Sequence, residues 1–146
     1  MKTKILLSLF VIMIFAACKK EKFNTAPTLT LKSVGNKNVR PGASLAIVFE
    51  ITDKEGDISN MLHFVKTRTN RRPVSTQDNL GRDTLKFQVP DAPNTRSILM
   101  DLNLTYPLLQ SSLRREPDSL TLKFWLVDKA KNRSDTFRVE NVVIIK

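Results

Sequence analysis

The chain has 146 residues and one cysteine, and 24 lysines and arginines against 14 acids give it a formal net charge of +10. One cysteine excludes an intramolecular disulfide framework. After the N-terminal segment no apolar run reaches the roughly 20 residues of a membrane-spanning helix, and the length suits one domain with a proper core, not two.

Residues 1–17 have the three parts of an export signal. Lys2 and Lys4 supply a basic start, Ile5 to Phe15 is apolar apart from Ser8, and the small residues Ala16 and Ala17 precede Cys18. As a helix that apolar run spans under about 20 Å, too short for a hydrocarbon core of about 30 Å, so it reads as a removed signal. Phe15-Ala16-Ala17-Cys18 resembles the lipobox of bacterial lipoproteins, with Phe15 where leucine is usual. The resemblance implies cleavage before Cys18, acylation of its thiol, and a mature domain held on a bilayer by more than one acyl chain, as stable anchoring requires. Ordinary secretion, with Cys18 incidental, is the alternative. Losing Lys2 and Lys4 lowers the net charge from +10 to +8. Residues 18–27 are then the lipidated cysteine and a polar tether, and residues 28–146 the folded domain.

Beyond the tether the hydrophobic period is two, the period of strands with one face in a core and one in water. Thr28 to Val34 alternates through Leu29 and Leu31. Leu45, Ile47, Phe49 and Ile51 alternate with Ser44, Ala46, Val48 and Glu50. Met61 to Thr69 is apolar early and basic late, which leaves its inward face open. Leu85, Phe87 and Val89 form a fourth run, Ile98, Met100, Leu102 and Leu104 a fifth, and Leu120, Leu122, Phe124 and Leu126 a sixth. Phe137 to Ile145 changes phase at Glu140-Asn141, as a β-bulge requires. Turn formers separate the runs: Gly35-Asn36, Pro41-Gly42, Glu55-Gly56-Asp57, Asn79-Leu80-Gly81, Pro90 to Pro93 and Asn132-Arg133. No segment has a helical stripe. Seven short strands so spaced predict an all-β, antiparallel, immunoglobulin-like sandwich, with a small closed β-barrel as the other architecture.

Two stretches carry a further resemblance. Phe49 to Ile58 (FEITDKEGDI) resembles a strand–turn element of small envelope lipoproteins of Bacteroidota. Phe124 to Ser134 (FWLVDKAKNRS) resembles the strand turn that opens the last hairpin of their immunoglobulin-like domains, with Lys131 in place of the usual glycine. The resemblance implies an immunoglobulin-like fold and an envelope location, and little about activity. Lys19 after Cys18 favours the outer membrane, and the mostly basic Lys19 to Lys22 differs from the acidic surface-export signal of that group.

In such a sandwich the loops after the second, fourth and sixth of these strands share one end. That end gathers Asp53, Glu55 and Asp57, then Asp91, then Asp128 and Asn132. Asp53, Glu55, Asp57, Asp128 and Asn132 together offer the oxygens that Ca²⁺ prefers. The competing account is that Asp and Asn hold turns through their own side chains, and Lys54, Lys129 and Lys131 oppose a cation there. No cofactor is required by this reading. The opposite end gathers Arg68, Arg71, Arg72, Arg114 and Arg115 with Lys37, Arg40 and Arg82. This basic end suits an acidic glycan or an acidic protein partner, or merely keeps the domain soluble. Nucleic acid is not expected, because no stacking aromatics interleave with the basic residues.

Catalytic signatures are missing: no G-x-S-x-G, no histidine pair at metal spacing, no phosphate loop. His63, the only histidine, lies in a strand, and Trp125 falls on the outward phase of its own, as packing or as a sugar platform. Asp83-Thr84-Leu85 and Asp118-Ser119-Leu120 resemble a short O-glycosylation acceptor. The expected function is a lipid-anchored, non-enzymatic binding or scaffolding module of the cell envelope, in contact with the membrane through its anchor. A surface polysaccharide-binding accessory protein and an enzyme are the alternatives.

Overall fold

The structure is a computed structural model that describes residues 26–146 apart from Asp57, Ser59 and Arg82. The signal, Cys18 and the tether up to Thr25 lie outside the described residues. In chain order the elements are β1 (Thr28–Val34), β2 (Asn38–Val39), β3 (Ser44–Thr52), β4 (Met61–Arg68), β5 (Thr84–Gln88), β6 (Ser97–Thr105), a one-turn helix α1 (Tyr106–Leu109), β7 (Asp118–Val127) and β8 (Phe137–Ile144). They form two sheets, one ordered β1-β3-β6 and the other β2-β8-β7-β4-β5. This is an all-β sandwich. The two sheets do not close on each other, which sets the barrel aside.

The strand count is eight, not seven, and one pairing is parallel. The added strand, β2, contributes only Asn38 and Val39, which run parallel to Val143 and Ile144 of β8. Two residues cannot show a period of two, so hydropathy gives no sign of it. The remaining pairings are antiparallel.

Alternation explains the core. On β3, Leu45, Ile47, Phe49 and Ile51 are buried, and on β7, Leu120, Leu122, Phe124 and Leu126 are buried. Phe49 and Phe124 meet across the sheets at 5.1 Å between ring centroids, and Phe64 of β4 packs on Phe124 at 5.3 Å. Such tilted aromatic pairs add about 0.5–1.5 kcal/mol each beyond their burial. They join β3, β4 and β7 across the sandwich.

The phase change in β8 is the expected bulge. Leu120 faces Val142 and Leu122 faces Val139, so Glu140 and Asn141 together oppose Thr121. Asn141 absorbs the bulge with φ at 59°, a conformation asparagine tolerates better than most residues. The shift returns Val142 and Ile144 to the core.

The open question over β4 is resolved by position, not polarity. Leu62, Phe64 and Lys66 all take the inward phase, and Lys66 is only 2% exposed. Its ammonium donates to the carbonyls of Leu108 and Gln110, both at 2.8 Å. Those carbonyls belong to the C-terminal turn of α1, which has no further helical partners to offer them. The lysine therefore closes the helix end from inside the sandwich.

Candidate binding surfaces

Three loops meet at the end where β1 begins. The amide of Asp53 donates to Arg96 O at 2.9 Å, joining the β3–β4 and β5–β6 loops. Asn60 Nδ2 donates to Asp128 O at 2.7 Å, and Lys129 pairs with Asp91 at 2.8 Å. These tie the β7–β8 loop to both others, so the expected gathering of acidic residues at one end is present. Ala26, Thr28, Thr52, Asp53, Lys54 and Arg96 border a shallow recess there.

One of these acids, Asp128, is committed to its own turn. Asp128 is fully buried. Its Oδ1 accepts from Asn132 N at 2.7 Å and its Oδ2 from Asn132 Nδ2 at 2.9 Å, so one side chain holds the whole hairpin turn. Ser134 completes the motif, because its hydroxyl accepts from Leu126 N at 2.8 Å. Gly56 has φ at 75°, in the left-handed region that favours glycine, and packs against the Asn94 backbone. Asp53 is buried, Glu55 is exposed, and Asp57 lies outside the described residues. Among the described residues no three His, Cys, Asp or Glu side chains converge as metal ligands.

At the opposite end some of the basic side chains are held in ion pairs and others stay exposed. Arg68 lies on the inward phase of β4, with 11% of its side chain exposed. Its Nε donates to Asp118 Oδ1 and its Nη2 to Glu116 Oε1, both at 2.8 Å, and its Nη1 donates to Arg72 O at 2.6 Å. Arg114 lies 3.6 Å from Asp78 and 3.7 Å from Glu116. Arg71, Arg72 and Arg115 remain exposed and outside any ion pair among the described residues. Asp118 is the centre of this end. It is fully buried and accepts from Arg68 Nε, Lys146 Nζ, the amides of Ser111 and Ser112, and the Ser112 hydroxyl. Burial alone would raise its carboxyl; the hydrogen bonds from Lys146, Arg68, Ser112 and Ser111 outweigh it and hold the group at about 2. Neither its burial nor its partners could be read from the short acceptor motif around Ser119.

A third surface is the outer face of the five-stranded sheet. Register sets His63 of β4 between Lys86 of β5 and Trp125 of β7. His63 and Trp125 stack at 5.0 Å with planes 15° apart, and the Arg133 guanidinium lies 4.7 Å from the indole centroid. Both groups pack against the indole, and Trp125 is half-buried. Burial first, then the charges of Lys86 and Arg133, lowers the His63 pKa below that of a free imidazole. One residue pair along, Lys123 of β7 stands directly opposite Arg138 of β8.

Thr84 is exposed on this same face, and Ser119 is half-buried, its amide held by Asn70 Oδ1 at 2.7 Å. Among the described residues no helix is long and apolar enough to cross a membrane. No family model, curated protein or solved structure matches the chain.

Proposed function

We propose that the protein is a lipid-anchored, non-enzymatic binding module of the cell envelope, tethered through Cys18 and presenting the outer face of its five-stranded sheet to a partner. The observation that supports this is where uncompensated charge collects. The buried ionic groups Asp118, Arg68 and Lys66 are consumed by the architecture. Lys86, Lys123 and Arg138 make no ion pair among the described residues, and stand together on one exposed sheet. Rigid strands that display fixed side chains suit recognition by surface complementarity.

Fractionation of cells tests the anchor. Wild-type protein is expected with the membranes and Cys18→Ser in the soluble fraction; retention of Cys18→Ser on membranes sinks the anchored reading. Affinity capture of the membrane-extracted protein then tests the binding reading. Material that co-purifies with wild type is expected to be lost from Lys123→Glu/Arg138→Glu, and its retention refutes the role of this face.

A second reading, a structural subunit of an envelope complex, is favoured by one feature of β6. It is an edge strand of nine residues whose pairing with β3 has no bulge, and its sequence SILMDLNLT holds neither lysine nor proline. Edges are usually blunted by such devices. Leu99 on this strand is 68% exposed. Proteins use such edges to add a partner's strand.

A further inference from the structure

We infer that the outer face of the five-stranded sheet is an anion-binding surface for a linear acidic polysaccharide, centred on Lys123 and Arg138 and flanked by Lys86 and Arg133. This rests on the binding-module reading above and adds the class of ligand.

Strand phase determines which charges share the face. The inward residues of β4, β7 and β5 are Leu62 and Phe64, Leu122 and Phe124, and Leu85 and Phe87. Their neighbours His63, Lys123, Trp125 and Lys86 therefore point outward. On β8 the same alternation puts Arg138 and Glu140 outward around buried Val139. Four cations, with Arg133 over Trp125, thus share the surface with one acid, Glu140. Asp135 stands nearby in the β7–β8 loop. The outer face of the three-stranded sheet contrasts with this: Lys32 and Glu50 pair there at 2.7 Å, and Asp101 is the remaining charge. Of the two broad faces of the domain, this one carries the excess of positive charge, and Arg71, Arg72 and Arg115 add further cations, outside any ion pair among the described residues, at the basic end.

The arrangement works against the folded state when nothing is bound. Like charges directly opposite on adjacent strands destabilise a sheet, and Lys123 faces Arg138 in that relation. At the other end of the molecule, by contrast, Arg68, Arg114 and Lys146 each have a carboxylate within 4 Å. An anionic group seated between Lys123 and Arg138 reverses the sign of their interaction and makes charge-assisted hydrogen bonds with both.

The rest of the face selects the class of anion. Thr67, Thr84 and Thr121 carry hydroxyls on the same outward phase, suited to the hydroxyls of a sugar chain. A membrane surface or a protein hot spot calls for large apolar anchors. The exposed large apolar residues among those described are Leu80, Leu99 and Leu113, on loops or on β6 and away from this face. Strands about 4.8 Å apart, with alternate residues about 7 Å apart along each, present cations in rows that an extended polyanion can follow. The linear polymer is thus favoured over a bilayer or an acidic protein.

The chain holds one tryptophan and one histidine, both on this face, so the protein carries its own reporters. Full-length protein in an uncharged detergent is titrated with polygalacturonate, with neutral dextran, and with phosphatidylglycerol vesicles, while the Trp125 indole and His63 ring resonances are followed. Polygalacturonate is expected to bind and move both resonances, and neutral dextran to move neither. Lys123→Ala/Arg138→Ala is expected to weaken polygalacturonate binding at least about tenfold, the loss of two charge-assisted contacts. Arg71→Ala/Arg115→Ala removes the same charge at the basic end and is expected to change it little. Equal weakening by the two double variants, binding that leaves both resonances unmoved, or binding to vesicles without binding to polygalacturonate each overturns the proposal. If Lys123→Ala/Arg138→Ala fails to fold, the wild-type resonances decide alone. Capture of a protein by this face without polymer binding defeats the glycan while leaving the binding-module reading intact; membrane-bound Cys18→Ser defeats the anchored reading itself.

Discussion

Arg68 and Asp118 are fifty residues apart in sequence, and the Arg68 Nε donates to Asp118 Oδ1 at 2.8 Å on the inward side of adjacent strands. Lys146, two residues past β8, reaches the other carboxylate oxygen at 2.8 Å. One carboxylate thus joins β4, β7, the chain end and the Ser111-Ser112 loop.

That junction makes a pH prediction. The Asp118 carboxyl is held at about 2, below its ordinary value of 3.8. A depressed carboxyl contributes stability above its unfolded pKa and loses it as pH falls through its folded one. The contribution, about 2 kcal/mol, is therefore complete above about pH 4 to 5 and fades toward pH 2. Urea midpoints measured from pH 6 to pH 2 should fall steeply for wild type. Asp118→Asn should start lower by about 2–4 kcal/mol and show less of that acid-dependent fall. An Asp118→Asn curve parallel to wild type would assign the acid sensitivity elsewhere.

Asp118 also marks where sequence reading stops. The strands are legible because burial alternates with period two, and even the β8 bulge is, through its shift from Phe137 and Val139 to Val142 and Ile144. Lys66 and Arg68 continue the Leu62-Phe64 phase, so their inward direction is written in the spacing. Their polarity hides it, because the groups that satisfy them are carbonyls and carboxylates brought in from residues 108–118 by the fold. The same holds for the cationic face. Lys86, Lys123 and Arg138 each read as outward, but only register makes Lys123 and Arg138 opposite neighbours. Asp53, Glu55, Asp57, Asp128 and Asn132 can be read as ligands, but turn residues are the readier account of Asp and Asn there. For Asp128 and Asn132 the side-chain bonds identify a turn.

Lys66 gives a prediction about buried charge. Replacing a buried ion pair by apolar groups is often harmless because both charges leave together. Here the acceptors are the backbone carbonyls of Leu108 and Gln110, which stay behind. Lys66→Met should therefore leave two partly buried acceptors without their donor, at up to about 1–3 kcal/mol each less the gain from a new apolar contact. Guanidinium denaturation is expected to show a net loss of about 2–3 kcal/mol. A neutral result would show that water replaces the ammonium.

The acidic end gives a prediction about Ca²⁺. Both Asp128 oxygens accept from Asn132, so the side chain is held in the geometry of its turn and not aimed at a cation site. Millimolar Ca²⁺ is expected to leave the thermal midpoint unchanged, whereas Asp128→Ala lowers stability by about 2 kcal/mol through loss of the turn. A midpoint that rises with Ca²⁺, and does so only while Asp128 is present, would reverse this account and make the loop cluster a metal site.

The β7–β8 turn supplies the last prediction, at the place where this chain departs from the lipoprotein pattern. Lys131 has φ at 69°, in the left-handed region, and its amide donates to Asp128 O at 3.1 Å. A side chain in that conformation costs about 1–2 kcal/mol relative to glycine, which occupies it freely. The backbone is therefore the one glycine would adopt, imposed on lysine by the Asp128–Asn132 bonds. Lys131→Gly removes the strain but adds freedom to the unfolded chain, returning about 0.5–1 kcal/mol. A net gain of about 0.5–1 kcal/mol should remain, a rise in thermal midpoint of a few degrees for a domain of this size. Lys131→Val, β-branched at the same φ, should fall on the other side of wild type. If glycine and valine shift the midpoint equally, backbone strain does not set the stability of this hairpin, and the Asp128 and Ser134 side-chain bonds alone do.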